Sequence, residues 1–179
     1  MAIVPDTKNW TWVLERPCPE CGYDASGVSV RSIPELIRDN VRAWPEVLAR
    51  PDVRERPDES TWSSLEYGAH VRDVFRVFHR RLDLMLSEDA PHFENWDQDA
   101  TAIAERYGDQ DPRAVSVQLA EAGERMAIAV EDVSAEALDR TGYRSDGSAF
   151  TVVTLLQYFM HDPIHHLWDV NRRTEGLPA

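Results

Sequence analysis

His161 and His165 stand four residues apart in the run Thr151-Val-Val-Thr-Leu-Leu-Gln-Tyr-Phe-Met-His-Asp-Pro-Ile-His-His-Leu-Trp-Asp169. A helix turns about 100° per residue, so imidazoles at i and i+4 share one face, one turn apart. The run is apolar nearly all round, which predicts a helix passing through the interior. Two inward imidazoles at this spacing are a ready pair of metal ligands. His166 is rotated about 140° from His161 on the same arithmetic, so it points elsewhere and is not counted as a ligand. A metal site that does chemistry takes three protein ligands and leaves one position for water or substrate. The third has to come from a facing helix, and His70 is the inward candidate.

The set His70, His161 and His165 would hold Zn²⁺, Ni²⁺ or Fe²⁺, among which imidazole alone does not choose. The competing reading is a group of hydrogen-bonded core histidines, although burying adjacent imidazoles without partners is costly. Around this set, Glu66 and Asp169 are candidates to orient ligand imidazoles, with Asp162 at a less favourable angle. Arg81 shares the angular sector of His70. It could clamp a substrate carboxylate, or simply pair with an acidic neighbour. Cys18-Pro-Glu-Cys21 has the form of half a zinc ribbon, but no second pair exists. It reads as a reduced structural turn, with an intersubunit or mixed-ligand metal site as the alternative. His161-Asp-x-x-His165 has the spacing of a zincin helix, but no histidine follows His166, so a protease of that kind is excluded.

The elements that must position these groups are helices. Ser32, Pro34 and Glu35 predict an N-cap, first turn and capping box for a first helix, with Ile33, Ile37, Val41, Trp44 and Leu48 as its stripe and Pro45 as a kink. A second helix is expected from about Trp62 to Ser87, facing inward through Val71, Val74, Phe75, Phe78, Leu82 and Met85. On it, His79 should face water. A short helix is expected within 97–107, and Asp111-Pro112 opens a third main helix reaching about Val133. The Asp146-Gly147 turn precedes the fourth, capped by Ser148 or Thr151. No series of alternating strands is legible. The fold class expected is all-α: a four-helix bundle over residues 31–179 with one long crossover, preceded by an irregular arm (1–30) that lies across the body through its tryptophans.

The chain has 179 residues, enough for one domain with a sizeable core, and a net charge of −13. That charge opposes binding to nucleic acid or to an anionic membrane surface. No run is long enough to span a bilayer, the N-terminus lacks a basic region ahead of an apolar stretch, and two cysteines make no disulfide framework. The expected compartment is cytoplasmic.

Trp62-Ser-x-x-Glu66-x-x-x-His70, taken with His161-x-x-x-His165-His166-x-x-Asp169, resembles the DinB/YfiT-like metalloenzymes. Within them it is similar to the branch that includes the mycothiol-dependent maleylpyruvate isomerase N-terminal domain. The resemblance covers roughly residues 30–172, and Arg144-Ser-Asp-Gly-Ser-Ala-Phe-Thr adds to it. It implies an up-down-down-up four-helix bundle, often dimeric, with a divalent metal on His70, His161 and His165. It also implies a low-molecular-weight thiol such as mycothiol as cosubstrate for S-transfer or isomerisation. Asp162 departs from the Glu common in relatives, and Pro163 between the ligands predicts a local kink.

The function expected is therefore a metal-dependent, thiol-using transferase or isomerase acting on a small electrophile. Water in the open position would instead give a hydrolase. A non-catalytic bundle, binding a small ligand or serving oligomerisation around a structural histidine cluster, is the reading from another class.

Overall fold

The computed structural model describes residues 9–172, so the ends of the expected arm and bundle (1–8 and 173–179) lie outside the described residues. Four long helices carry the fold: α1 (Ile33–Leu48), α2 (Ser64–Ser87), α4 (Pro112–Glu131) and α5 (Val152–Arg172), with a short α3 (Gln98–Ala104) in the crossover. Helices α1 and α2 lie largely across the bundle from each other, and each packs on both α4 and α5. Trp44, Phe75, Phe159, Leu82, Met126 and Leu155 fill the space between them. The α1–α4 approach is close because Gly123 has no side chain; a Cβ there would lie 2.4 Å from Val41 Cγ2.

The helix ends follow local chemistry, but not always at the expected place. Ser32 makes no side-chain cap for α1; Ser29 instead caps the 3-10 turn Val30–Ser32 that leads into it. The capping box sits at α2, where Ser63 Oγ accepts from Glu66 N and Glu66 Oε2 accepts from Ser63 N. Asp111 caps α4 as predicted, and Thr151 Oγ1 accepts from Thr154 N at the start of α5. Both α1 and α5 stay helical through Pro45 and Pro163.

The chain also forms a small sheet that the sequence reading did not anticipate. β1 (His92–Phe93) pairs in parallel with β2 (Thr141–Arg144), which pairs antiparallel with β3 (Ala149–Thr151). Strands of two to four residues are too short to show an alternation in sequence. Gly142 lets β2 lie directly on the end of α2, since a Cβ there would meet Met85. Arg140 donates to the Met85 and Glu88 carbonyls and so ties off the C-terminal end of α2. The hairpin carries Arg144 onto the bundle beside Tyr158.

One buried polar bridge fixes α5 against α1. Asn40 Nδ2 donates to the Pro163 carbonyl at 2.7 Å, and Asn40 Oδ1 accepts from Trp44 Nε1 at 3.1 Å. Asn40→Ala leaves both the indole N–H and the carbonyl without this partner. The expected loss of stability is roughly 1–3 kcal/mol for each group orphaned, read by urea denaturation.

Candidate metal centre and pocket

α2 brings His70 inward and buries it completely. Its ring lies flat on Trp96, with centroids 5.2 Å apart and planes 2° from parallel, and Trp62 packs against it at a tilt. His70 Nε2 is 3.2 Å from Asp162 Oδ1, and His166 Nε2 is 3.6 Å from the same oxygen. On its far side, His166 Nδ1 is 3.0 Å from Asp169 Oδ2. An N–H donated to that carboxylate leaves Nε2 with its lone pair directed at Asp162 and His70. Burial works against the Asp162 carboxylate, but the His70 and His166 imidazoles outweigh it and hold the group well below the usual carboxylate range. Two imidazole nitrogens and one carboxylate oxygen therefore converge within 4.8 Å of one another, a donor set suited to a divalent cation.

The expected set of His70, His161 and His165 is not brought together. His161 and His165 do share a face of α5, but that face meets the N-terminal segment rather than α2. Their rings pack on Trp10 at 5.5 and 5.6 Å. Their neighbours are Cys18 and Cys21, with Cys18 Sγ 3.7 Å from His165 Nδ1. The physical reason is a second i, i+4 pair one residue on. Asp162 and His166 are rotated about 100° from His161 and His165, and that rotation faces them to His70. The segment containing Trp10 and Trp12 does lie on α5, as its tryptophans suggested. Burial and the neighbouring His165 push His161 down to about 4, and burial lowers His165 as well, so both imidazoles are neutral at neutral pH. Burial pushes the Cys21 thiol up to about 12.

The remaining predicted residues separate in the same way. Glu66 does not orient an imidazole: it is the N3 residue of the α2 capping box and is held by Arg56. Asp169 does orient one, that of His166. Arg81 is buried over Phe78 and Phe93, donates to the Glu94 carbonyl at 3.0 Å, and forms no salt bridge with a carboxylate among the described residues. Burial, reinforced by the charge of Arg144, pushes it down to about 10. His79 is partly buried rather than fully solvated and meets Asp83, while His92 is on β1 and stacks on Tyr143.

Above the donor set opens a cavity of about 290 Å³. Asp162 and His166 lie in its lining, as do Arg81, Arg144 and Tyr158. Arg144 is held by Asp146 at 2.7 Å and donates to the Tyr158 hydroxyl at 3.1 Å, while its Nε is buried without a partner among the described residues. The cavity lining thus brings two of the cation-binding donors, Asp162 and His166, together with two guanidinium groups. The sequence places Arg144 only in the lead-in to the last helix and gives Trp96 no role, because a strand of four residues and a crossover loop have no periodicity to aim them at the pocket.

The DinB superfamily profile matches residues 35–170, three-quarters of the chain. The chain belongs to the DinB superfamily. Among solved structures it is similar to YfiT from Bacillus subtilis, described as a probable metal-dependent hydrolase with an unusual four-helix bundle topology. That match has a TM-score of 0.64 and 19% identity over 97% of this chain and 94% of that one. It is also similar to a mycothiol-dependent maleylpyruvate isomerase, with a TM-score of 0.61 and 14% identity over 80% of this chain and 61% of that one. At these identities the likeness is one of fold. No curated protein sequence matches the chain. Among the described residues, no helix is long and apolar enough to cross a membrane.

Proposed function

We propose that this DinB-superfamily chain is a divalent-metal-dependent enzyme that uses a small thiol, of the mycothiol type, to transfer sulfur to or isomerise a small anionic electrophile. The observation that carries the reading is the convergence of His70 Nε2, Asp162 Oδ1 and His166 Nε2 beside a cavity that Asp162 and His166 line together with Arg81 and Arg144. These three residues replace the expected set of three histidines as the proposed metal ligands. A bound Zn²⁺, Ni²⁺ or Fe²⁺ would supply an open coordination position that favours a thiolate over a thiol at neutral pH.

The chain's own residues do the rest. Asp169 fixes the tautomer of His166 and so aims its Nε2. Trp62 and Trp96 clasp His70 and keep water from it. Arg81 makes no salt bridge with a carboxylate among the described residues and presents a guanidinium that matches a substrate carboxylate in fork geometry. Arg144 is already oriented by Asp146 and stands beside the Tyr158 hydroxyl, as a second cationic contact. The fold likeness to a mycothiol-dependent isomerase supports the thiol; the likeness to YfiT supports the hydrolase alternative, in which water takes the thiol's place.

The test is spectroscopic and needs no known substrate. In Co²⁺-loaded protein carrying Cys18→Ser, added mycothiol should produce a thiolate-to-cobalt charge-transfer band that His166→Ala abolishes. Absence of the band at saturating thiol would overturn the thiol-dependent reading. Metal-dependent ester or amide cleavage without thiol would then establish the hydrolase.

A further inference from the structure

We propose that Cys18, Cys21, His161 and His165 form a second metal site, a closed Cys₂His₂ zinc site that fastens the N-terminal segment to α5. One donor atom from each of the four lies within 4.8 Å of the others, and three of the four residues are buried. The cysteines come from a tight knuckle. Gly22 N donates to the Cys18 carbonyl at 3.0 Å, Cys18 N donates to the Tyr23 carbonyl at 2.8 Å, and Gly22 takes a φ of 74° that favours glycine. Both are free thiols.

The histidines come from one face of α5, and each has a nitrogen available. His161 Nε2 is buried with no hydrogen-bond partner among the described residues. A polar atom stranded in this way is costly, and a cation beside it removes the cost. His165 is arranged as a ligand ordinarily is. Its Nε2 lies 3.3 Å from Glu20 Oε2 and 3.7 Å from Asp169 Oδ2, which leaves Nδ1 directed at Cys18 Sγ.

Two thiolates and two imidazoles complete a tetrahedron for Zn²⁺, leaving no open position, so the site is structural and not catalytic. Binding releases the two thiol protons to solvent, with no change in oxidation state. The site also bears on the pocket. Trp10 and Glu20 lie on the N-terminal segment and both line the cavity above Asp162 and His166. Fastening that segment sets one wall of the cavity.

The site shares no ligand with the His70 centre, and its test keeps the two apart. Zinc alone is supplied to metal-depleted full chain, and bound metal is counted by plasma emission. Wild type should hold about two equivalents, one in each site. Cys18→Ser and Cys21→Ser should each lose about one, and His70→Ala should lose the other. Cobalt in His70→Ala should show thiolate charge-transfer bands, which the cysteine variants lack. Folded cysteine variants with undiminished zinc would overturn the proposal. If those variants fail to fold, p-hydroxymercuribenzoate on the wild type decides. Release of about one zinc as both thiols react supports the site, and thiol reaction without release overturns it. Undiminished zinc in His70→Ala would count against the His70 centre alone.

Discussion

His166→Ala is expected to remove the metal from the pocket, while His161→Ala leaves it there. Measured by Co²⁺ or Zn²⁺ titration in a Cys18→Ser background, so that only the His70 centre responds, the three informative variants should fall in a definite order. His166→Ala removes one of three converging donors. Its loss of affinity should exceed the roughly 10–100-fold expected for Asp169→Ala, which removes only the carboxylate that orients His166. His161→Ala touches neither a donor nor an orienting group of the His70 centre, because its ring faces Trp10 and Tyr23. If His161→Ala costs as much as His166→Ala, the assignment of donors is wrong. Asp169→Asn adds a check that separates positioning from packing. It keeps the volume but can no longer accept from His166 Nδ1 as a carboxylate, so the metal affinity should fall without a matching fall in thermal stability.

Arg81→Met should move stability and ligand binding in opposite directions. The guanidinium is buried among Phe78 and Phe93 and donates to the Glu94 carbonyl. Removing a buried charge that makes no salt bridge among the described residues, in favour of an apolar side chain of similar length, is neutral or stabilising. The melting temperature should hold or rise by a few degrees. Binding of maleate, a small dicarboxylate probe, to the metal-loaded protein should weaken by roughly 10–100-fold, the value of a charge-assisted hydrogen bond in a buried site. Arg81→Lys should recover only part of this, since an ammonium cannot form the two-pronged contact. A melting temperature that falls with maleate binding unchanged would make Arg81 a packing residue.

Much of the bundle was legible because its signals are local. The stripe of α2, the Asp111-Pro112 start of α4 and the Thr151 cap of α5 all rest on residues within a few positions of one another. The donor set was only half legible for the same reason. Spacing identifies i, i+4 pairs on α5, and the chain contains two of them, one residue apart: His161 with His165, and Asp162 with His166. Choosing between them requires knowing which face of α5 meets α2, and that is a property of packing. On residue type alone the first pair, with two histidines, outweighs the second. The capping box shows a different kind of miss. Ser63-x-x-Glu66 carries the pattern openly, as does Ser32-x-x-Glu35, and only the backbone decides that the first forms and the second does not. For Cys18 and Cys21 the sequence had no partner in view. Their partners lie about 140 residues away, in the pair of histidines assigned elsewhere.

Asp169 has a further consequence. One oxygen of its carboxylate faces His166 at 3.0 Å and His165 at 3.7 Å, and Arg172 reaches the other oxygen at 3.3 Å. The two proposed cation sites therefore lean on a single acceptor, whose capacity is finite. A carboxylate drawn toward one imidazole is less available to the other, so occupancy at either site alters affinity at the other. Linkage requires the factor to be the same in both directions. Metal titrations of the intact chain should then depart from two independent isotherms, and Asp169→Asn should restore them.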